Sequence, residues 1–414
     1  MRGGRAALAL VGLLVTTPAR AQDATEGPAP EEVLPEEATD TPPLDVHGFV
    51  SQGAFISTAN DYLGHSERGT AEFTEAAINL SREVADRLRV TLQLFTRDLG
   101  PIGDYRIALD LGFLDYRWRQ WLGFRAGRVK MPFGLFNEVN DVPSGRTPIL
   151  LPQSIYPITS RDFLLGLTGA AVYGSPQLGC AGWLDYQLFG GTIFIDDRDS
   201  PQVLEIDVRR LAGAQAFWRP PLEGLRVGGT WLNGRLDLDF QLDQATTDAL
   251  IASGAAPAGF DGRAMVSLHD ANLLVGSVEY SLGRVGFAAE YSRTYTHTES
   301  TPAGLVADED SASEGFYGLV GARLDDSWAV SSYYSVKFED IDDRTGDGAA
   351  YPIGHQAYQA DLAATARYDV NEFWMLKGEA HFIQGTADLV AAENPPGKLE
   401  KNWGLFLVQT VLTF

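Results

Sequence analysis

From Asp45 onward the chain is written in short segments in which apolar and polar residues alternate. In the cleanest of them Leu88, Val90, Leu92 and Leu94 share one face, while Arg89, Thr91, Gln93 and Arg97 share the other, with Phe95 among them. A period of two marks strands whose two faces meet different surroundings. Sixteen such segments are predicted: 45–57, 71–83, 87–97, 105–118, 121–133, 165–175, 182–194, 209–219, 225–236, 265–281, 284–297, 314–324, 327–339, 355–368, 372–385 and 402–414.

Alternation alone also suits a soluble sandwich, so the connections decide. Tight turns at Val84-Ala85-Asp86, Arg119-Gln120, Leu282-Gly283, Asp325-Asp326 and Asp369-Val370-Asn371 recur at every second junction. The junctions 176–181 and 220–224 are only slightly longer. Between them fall the long stretches 58–70, 134–164, 195–208, 237–264, 298–313, 340–354 and 386–401, with 98–104 the one short member. Short turns on one side and long loops on the other are what a transmembrane barrel needs, and an even strand count leaves both ends on one side. The expectation is an all-β transmembrane antiparallel barrel of about sixteen strands. Tryptophans 118, 121, 183, 218, 328 and 374 fall beside the short turns and Trp403 at the opposite strand end, as an aromatic girdle would. Trp231, at mid-strand, does not fit.

The two ends add a compartment. Arg2 and Arg5, the apolar run Ala7 to Val15 and the small-x-small site Ala19-Arg20-Ala21 read as a signal peptide over 1–21. The run is too short for a helix crossing about 30 Å of hydrocarbon. Residues 22–44 are an acidic, proline-rich periplasmic linker, expected to be disordered, and 45–414 form the barrel. In the last segment Phe406, Val408, Thr410 and Leu412 make a nearly apolar row, and the chain closes on Phe414. This ending resembles the signal read by the barrel-insertion machinery of Gram-negative bacteria. The expected location is the outer membrane, in contact with lipid and lipopolysaccharide.

Charge and chemistry narrow the function. The formal net charge of −23 becomes −26 without residues 1–21, which hold three arginines and no acid. That argues against nucleic acid as a partner and suits acidic loops that gather cations. Cys180 is the only cysteine and the six histidines are scattered, so no metal spacing and no cofactor motif appears. No phosphate loop or nucleophile elbow is present, and no enzyme is expected.

The candidate functional residues are charges on inward rows, because charge on the lipid face costs several kcal/mol. Arg89, Gln93, Arg97, Arg106, Asp110, Arg128 and Lys130 come from the third to fifth strands. Arg106 alternates with Ile107, Leu109, Leu111 and Phe113, and is expected inside with Asp110. Arg125 and Arg128 have opposite parity; two charges outweigh one, which puts Arg128 and Lys130 inside. Glu75, Asp185, Glu279, Glu290, Asp361, Arg367, Lys377, Glu379 and His381 continue the inward rows. The loop 134–164 is rich in Leu, Ile, Tyr and Pro, and needs something to pack on; the barrel interior is the available place.

With a signal peptide, sixteen strands, an infolded third loop and a terminal phenylalanine, the chain resembles Gram-negative general porins. Gly127-Arg128-Val129-Lys130-Met131-Pro132-Phe133-Gly134 is similar to the strand-to-loop segment of the phosphate-selective porin family. The first resemblance implies a homotrimer and a third loop whose acids face wall arginines. Glu138 and Asp141 would supply the acids, Arg89, Arg106 and Arg128 the bases, with Arg146 also on the loop. Three readings stay open: passive diffusion of small hydrophilic solutes and ions, with a weak cation preference; a substrate-specific anion channel of the phosphate type; and a non-transport barrel such as an adhesin or lipid enzyme.

Overall fold

The computed structural model describes residues 43–414 apart from positions 101, 194–202, 243, 255, 302–308, 349–350, 352 and 391–392. The expected signal peptide over 1–21 and nearly all of the expected 22–44 linker lie outside the described residues. Sixteen strands form one closed antiparallel barrel in which each pairs with its neighbours in sequence. They are β1 Asp45–Ser57, β2 Thr74–Ala85, β3 Leu88–Asp98, β4 Ala108–Arg119, β5 Leu122–Lys130, β6 Gly166–Gly174, β7 Trp183–Thr192, β8 Val203–Arg219, β9 Leu225–Gln241, β10 Arg263–Leu282, β11 Val285–Thr301, β12 Glu309–Arg323, β13 Trp328–Phe338, β14 Tyr358–Asp369, β15 Trp374–Gly385 and β16 Asn402–Thr413.

The strand count and the sorting of short turns from long loops agree with the alternation. Closure is made by β1 and β16 in a register that sets Phe49 opposite Thr413 and Ser57 opposite Leu405. Phe414 continues the pairing, exchanging N–H···O bonds of 3.0 Å with Gly48 in both directions. Full closure leaves no unpaired strand edge, which a barrel in hydrocarbon requires. The boundaries differ most in β8, β9, β11 and β12, which run four to six residues further than the alternation indicates at the long-loop end. Part of the expected 237–264 loop is a helix, Gln244–Ser253.

The outer surface explains the hydropathy. Val50, Leu114, Phe124, Leu188, Leu274, Phe287, Val320, Leu362, Phe382 and Val408 are exposed large apolar side chains drawn from ten different strands. Such a continuous belt would be a liability in water and suits acyl chains. Trp118, Trp121, Trp218, Trp328 and Trp374 are exposed at the short-turn end. Trp231 is also exposed, on the outer face. Trp403 departs from the expected girdle: it is buried against Tyr62, and its Nε1 donates to the Gly385 carbonyl at 3.0 Å.

One irregularity decides a whole face. Gln93 pairs with Leu111 and Leu94 with Leu109, so Asp110 is an extra residue in β4. A bulge reverses parity across itself. Leu109 therefore faces out with Leu114, Tyr116 and Trp118, whereas Leu111 and Phe113 face the lumen. The single row Ile107, Leu109, Leu111, Phe113 expected from alternation does not exist. Arg106 precedes β4 altogether and is exposed, so it does not stand on the lumen wall beside Asp110.

Candidate functional site: the third loop across the lumen

The loop 131–165, hereafter L3, enters the barrel from the end of β5. Its first part is apolar and packs on apolar wall. Met131, Phe133, Leu135, Ile155 and Tyr156 share one cluster with Leu167, Phe189, Phe217, Leu232, Val275 and Tyr317, all on inward rows from β6 to β12. On this side the lumen is a packed core, not a wet wall. Gly134 turns the chain away from β5 with φ +54°, where a Cβ would sit 2.2 Å from the Tyr156 hydroxyl; only glycine meets both demands. Its N–H donates to Thr230 Oγ1 at 3.2 Å, and its carbonyl accepts from Gln215 Nε2 at 3.1 Å.

Glu290 fixes this end. Its carboxylate accepts the Leu135 N–H at 2.9 Å, the Tyr317 hydroxyl at 2.7 Å and the Tyr156 hydroxyl. A buried carboxylate is tolerable only with such a full set of donors.

The opposite end is held by β14 and β15. Glu379 accepts the N–H groups of Ile149 and Leu150 at 2.7 and 2.8 Å, and His381 Nε2 lies 3.0 Å away. His381 Nδ1 in turn meets Asp361 at 2.9 Å. Lys377 Nζ donates to the carbonyls of Pro143 at 2.6 Å and Arg146 at 2.8 Å, and Arg367 donates to the Ser144 carbonyl at 2.7 Å. Ser154 Oγ and Ser335 Oγ are 2.8 Å apart, which adds β13.

A third sector joins L3 to β3, β4 and β5. Gln93 Nε2 donates to Asp110 at 3.0 Å and to Asp141 at 2.7 Å. Lys130 forms an ion pair with Asp141, and Arg161 pairs with Asp110 at 2.9 Å over the Phe95 ring, 3.7 Å from its centroid. Arg97 donates to the Ile158 carbonyl at 3.4 Å. Burial opposes ionisation of Asp141, but Lys130 and Arg161 outweigh it and hold the carboxyl below its usual range. Bonded to three sectors of wall, the loop spans the lumen instead of lying along one side.

The expected charges therefore divide. Gln93, Arg97, Asp110, Lys130, Asp141, Arg146, Glu290, Asp361, Lys377 and Glu379 come together around L3. Glu138 is exposed and contributes its carbonyl, 2.8 Å from Lys130 Nζ. Glu279 stands apart near the short turns, paired with Arg226 at 3.0 Å. Arg89 is also at that end, 3.7 Å from Asp45. The expected opposition of Glu138 and Asp141 to Arg89, Arg106 and Arg128 is replaced by Asp141 facing Lys130 and Gln93.

Strand β5 reverses the parity argument. Arg125 lies opposite Asp115, pairs with it at 2.8 Å and stacks on Tyr173, so it is the lumenal arginine. Arg128 lies opposite Gly112, on the row of outward Leu114 and Tyr116, and its Nε donates to the Asp110 carbonyl at 2.9 Å. Lys130, at the strand end, still reaches L3. Counting charges fails here because Val129, on the Arg125 row, is an apolar residue buried beneath L3. Arg161 is a further functional arginine whose only sequence signal is its place near the end of an apolar loop that also carries Arg146.

No protein-family model and no curated protein matches the chain. Its structure is similar to the anion-selective porin from Comamonas acidovorans, with 10% identity and a TM-score of 0.55 over 90% of this chain and 100% of that one. It is similar to OmpT of Vibrio cholerae in its trimer form, with 11% identity and a TM-score of 0.54 over 91% and 100%. It is also similar to Salmonella typhi OmpF in complex with daunomycin, with 13% identity and a TM-score of 0.55 over 90% and 97%. The fold is that of the sixteen-stranded outer-membrane porins of Gram-negative bacteria.

Proposed function

We propose that this protein is a diffusion channel of the outer membrane that passes small hydrophilic solutes and ions. The observation that carries the reading is the attachment of L3. A closed barrel with a lipid-facing belt encloses a loop bonded through Glu290, Glu379, Lys377 and Asp141 to the surrounding wall. A loop so fixed sets a constriction of constant shape, lined by paired charges that favour polar over apolar solutes. The reading is one of transport, not catalysis. A homotrimer, contact with lipopolysaccharide and recognition of β16 by the insertion machinery belong to the same proposal.

Planar-bilayer recording on the purified, refolded protein tests it. Small, stable, ohmic conductance steps are expected; a protein that inserts and stays electrically silent overturns the reading. A selective anion channel gains support from the arginines described next.

A further inference from the structure

We propose that the short-turn mouth of the lumen holds a binding pocket for small multivalent oxyanions such as pyrophosphate. The inference deepens the channel reading and rests on it for its role in transport, though not for binding itself. Between the feet of β2 to β6 lies a cavity of about 560 Å³ lined by Arg87, Arg89, Arg117 and Arg119 against Glu83 and Asp115. In a chain of net charge −23, four arginines around one cavity are a local reversal of sign.

The two acids are already engaged. Asp115 accepts Arg125 Nε at 2.8 Å and the Tyr173 hydroxyl. Glu83 accepts the Arg87 N–H at 3.3 Å. The arginines are less satisfied. Arg87 donates to the Trp118 carbonyl at 3.0 Å and Arg89 reaches Ser81 Oγ at 3.4 Å, both neutral acceptors, and their nearest carboxylates are peripheral, Asp86 at 3.5 Å and Asp45 at 3.7 Å. Arg117 lies over the Tyr173 ring and Arg119 over Trp118, and among the described residues neither has an ion-pair partner. Elsewhere along this mouth the pairs are closed, as in Arg219–Asp185 at 2.7 Å and Arg226–Glu279 at 3.0 Å.

The backbone adds an independent sign. Arg87 occupies the β2–β3 turn at φ +64°, a left-handed position that glycine or asparagine would take with less strain. Strain kept at one arginine of a basic cluster points to use of its side chain. Guanidinium forks match the paired oxygens of phosphate groups, and several forks around one cavity favour anions carrying more than one charge over chloride.

Titration calorimetry on the refolded full-length protein in lipid-free detergent, with pyrophosphate against a chloride background, tests the pocket. Binding is expected, weakened at least tenfold in the double variant Arg117→Gln/Arg119→Gln and within twofold of wild type in Arg226→Gln. Unchanged affinity in the double variant, or no binding by wild type, overturns the proposal. A lipid headgroup offers the same oxygens; retention of phosphatidylglycerol without pyrophosphate binding also overturns it. Retained heat-modifiable migration on gels shows that the variants are folded. Binding without bilayer current would sink the channel reading and leave the pocket standing.

Discussion

The carboxylate of Glu379 accepts the backbone N–H of Leu150 at 2.8 Å, across 229 positions of sequence. A second oxygen takes the Ile149 N–H, and the pair fixes the far side of L3 to β15. Hydrogen bonds to a charged acceptor contribute about 1.5–3 kcal/mol each, and unpairing a buried charge costs about 3–5 kcal/mol. Glu379→Ala removes both bonds and strips His381 of one carboxylate. The loop should loosen: single-channel conductance and its noise rise, and the barrel unfolds at lower temperature. Unaltered conductance and melting would show that this contact does not hold the loop.

Arg125 and Arg128 make opposite predictions. Arg125→Gln leaves Asp115 without its lumenal partner, so the reversal potential in a salt gradient should move toward cation selectivity. Arg128→Gln, on the outer row, should leave that potential in place. The reverse pattern would contradict the β5 register.

Ser154 and Ser335 bring L3 within bonding distance of β13. Cysteines at both positions, in a Cys180→Ser background, should form a disulfide on mild oxidation, since bridging needs close side chains. Conductance should not change, because the bond joins groups already in contact. Failure to oxidise would mean that L3 lies elsewhere.

Asp141 gives a pH dependence. Its folded-state pKa is lowered, so its contribution is complete above the ordinary carboxylate value of about 4 and is lost as pH falls through the lowered value. Conductance is expected to be flat from neutral pH to about 4 and to change below it. In Asp141→Asn that acid-side change should be absent; if the variant titrates like wild type, another group is responsible.

The β4 bulge has a stability signature. Leu114 faces lipid near mid-strand, so Leu114→Arg should destabilise the barrel by about 2–4 kcal/mol in reversible unfolding from bilayers. A negligible cost would put Leu114 in the lumen and remove the bulge.

The architecture was legible because its causes are local. A period of two, turns of two or three residues and loops sorted by length follow from backbone geometry and from lipid on one face, and sixteen segments repeat them. The partly apolar character of 134–164 likewise betrayed a loop that packs on something. Within the site, the inward facing of Gln93, Lys377 and Glu379 follows from parity alone.

What parity could not supply came from pairing. One extra residue at Asp110 turns the rest of β4 over, and no periodicity reveals a bulge before the partner strand is in register. Val129, Leu167 and Phe217 look like lipid-facing residues, yet the register turns them inward, where they share one apolar cluster with residues of L3. Trp403 looks like a girdle residue until Tyr62 is packed on it. The sequence by itself determined that a barrel forms, how many strands close it and which loop enters it. Only the tertiary structure decided which face each charge occupies and which wall strands the loop touches. Those facts depend on contacts between residues hundreds of positions apart, and closure of the barrel creates them.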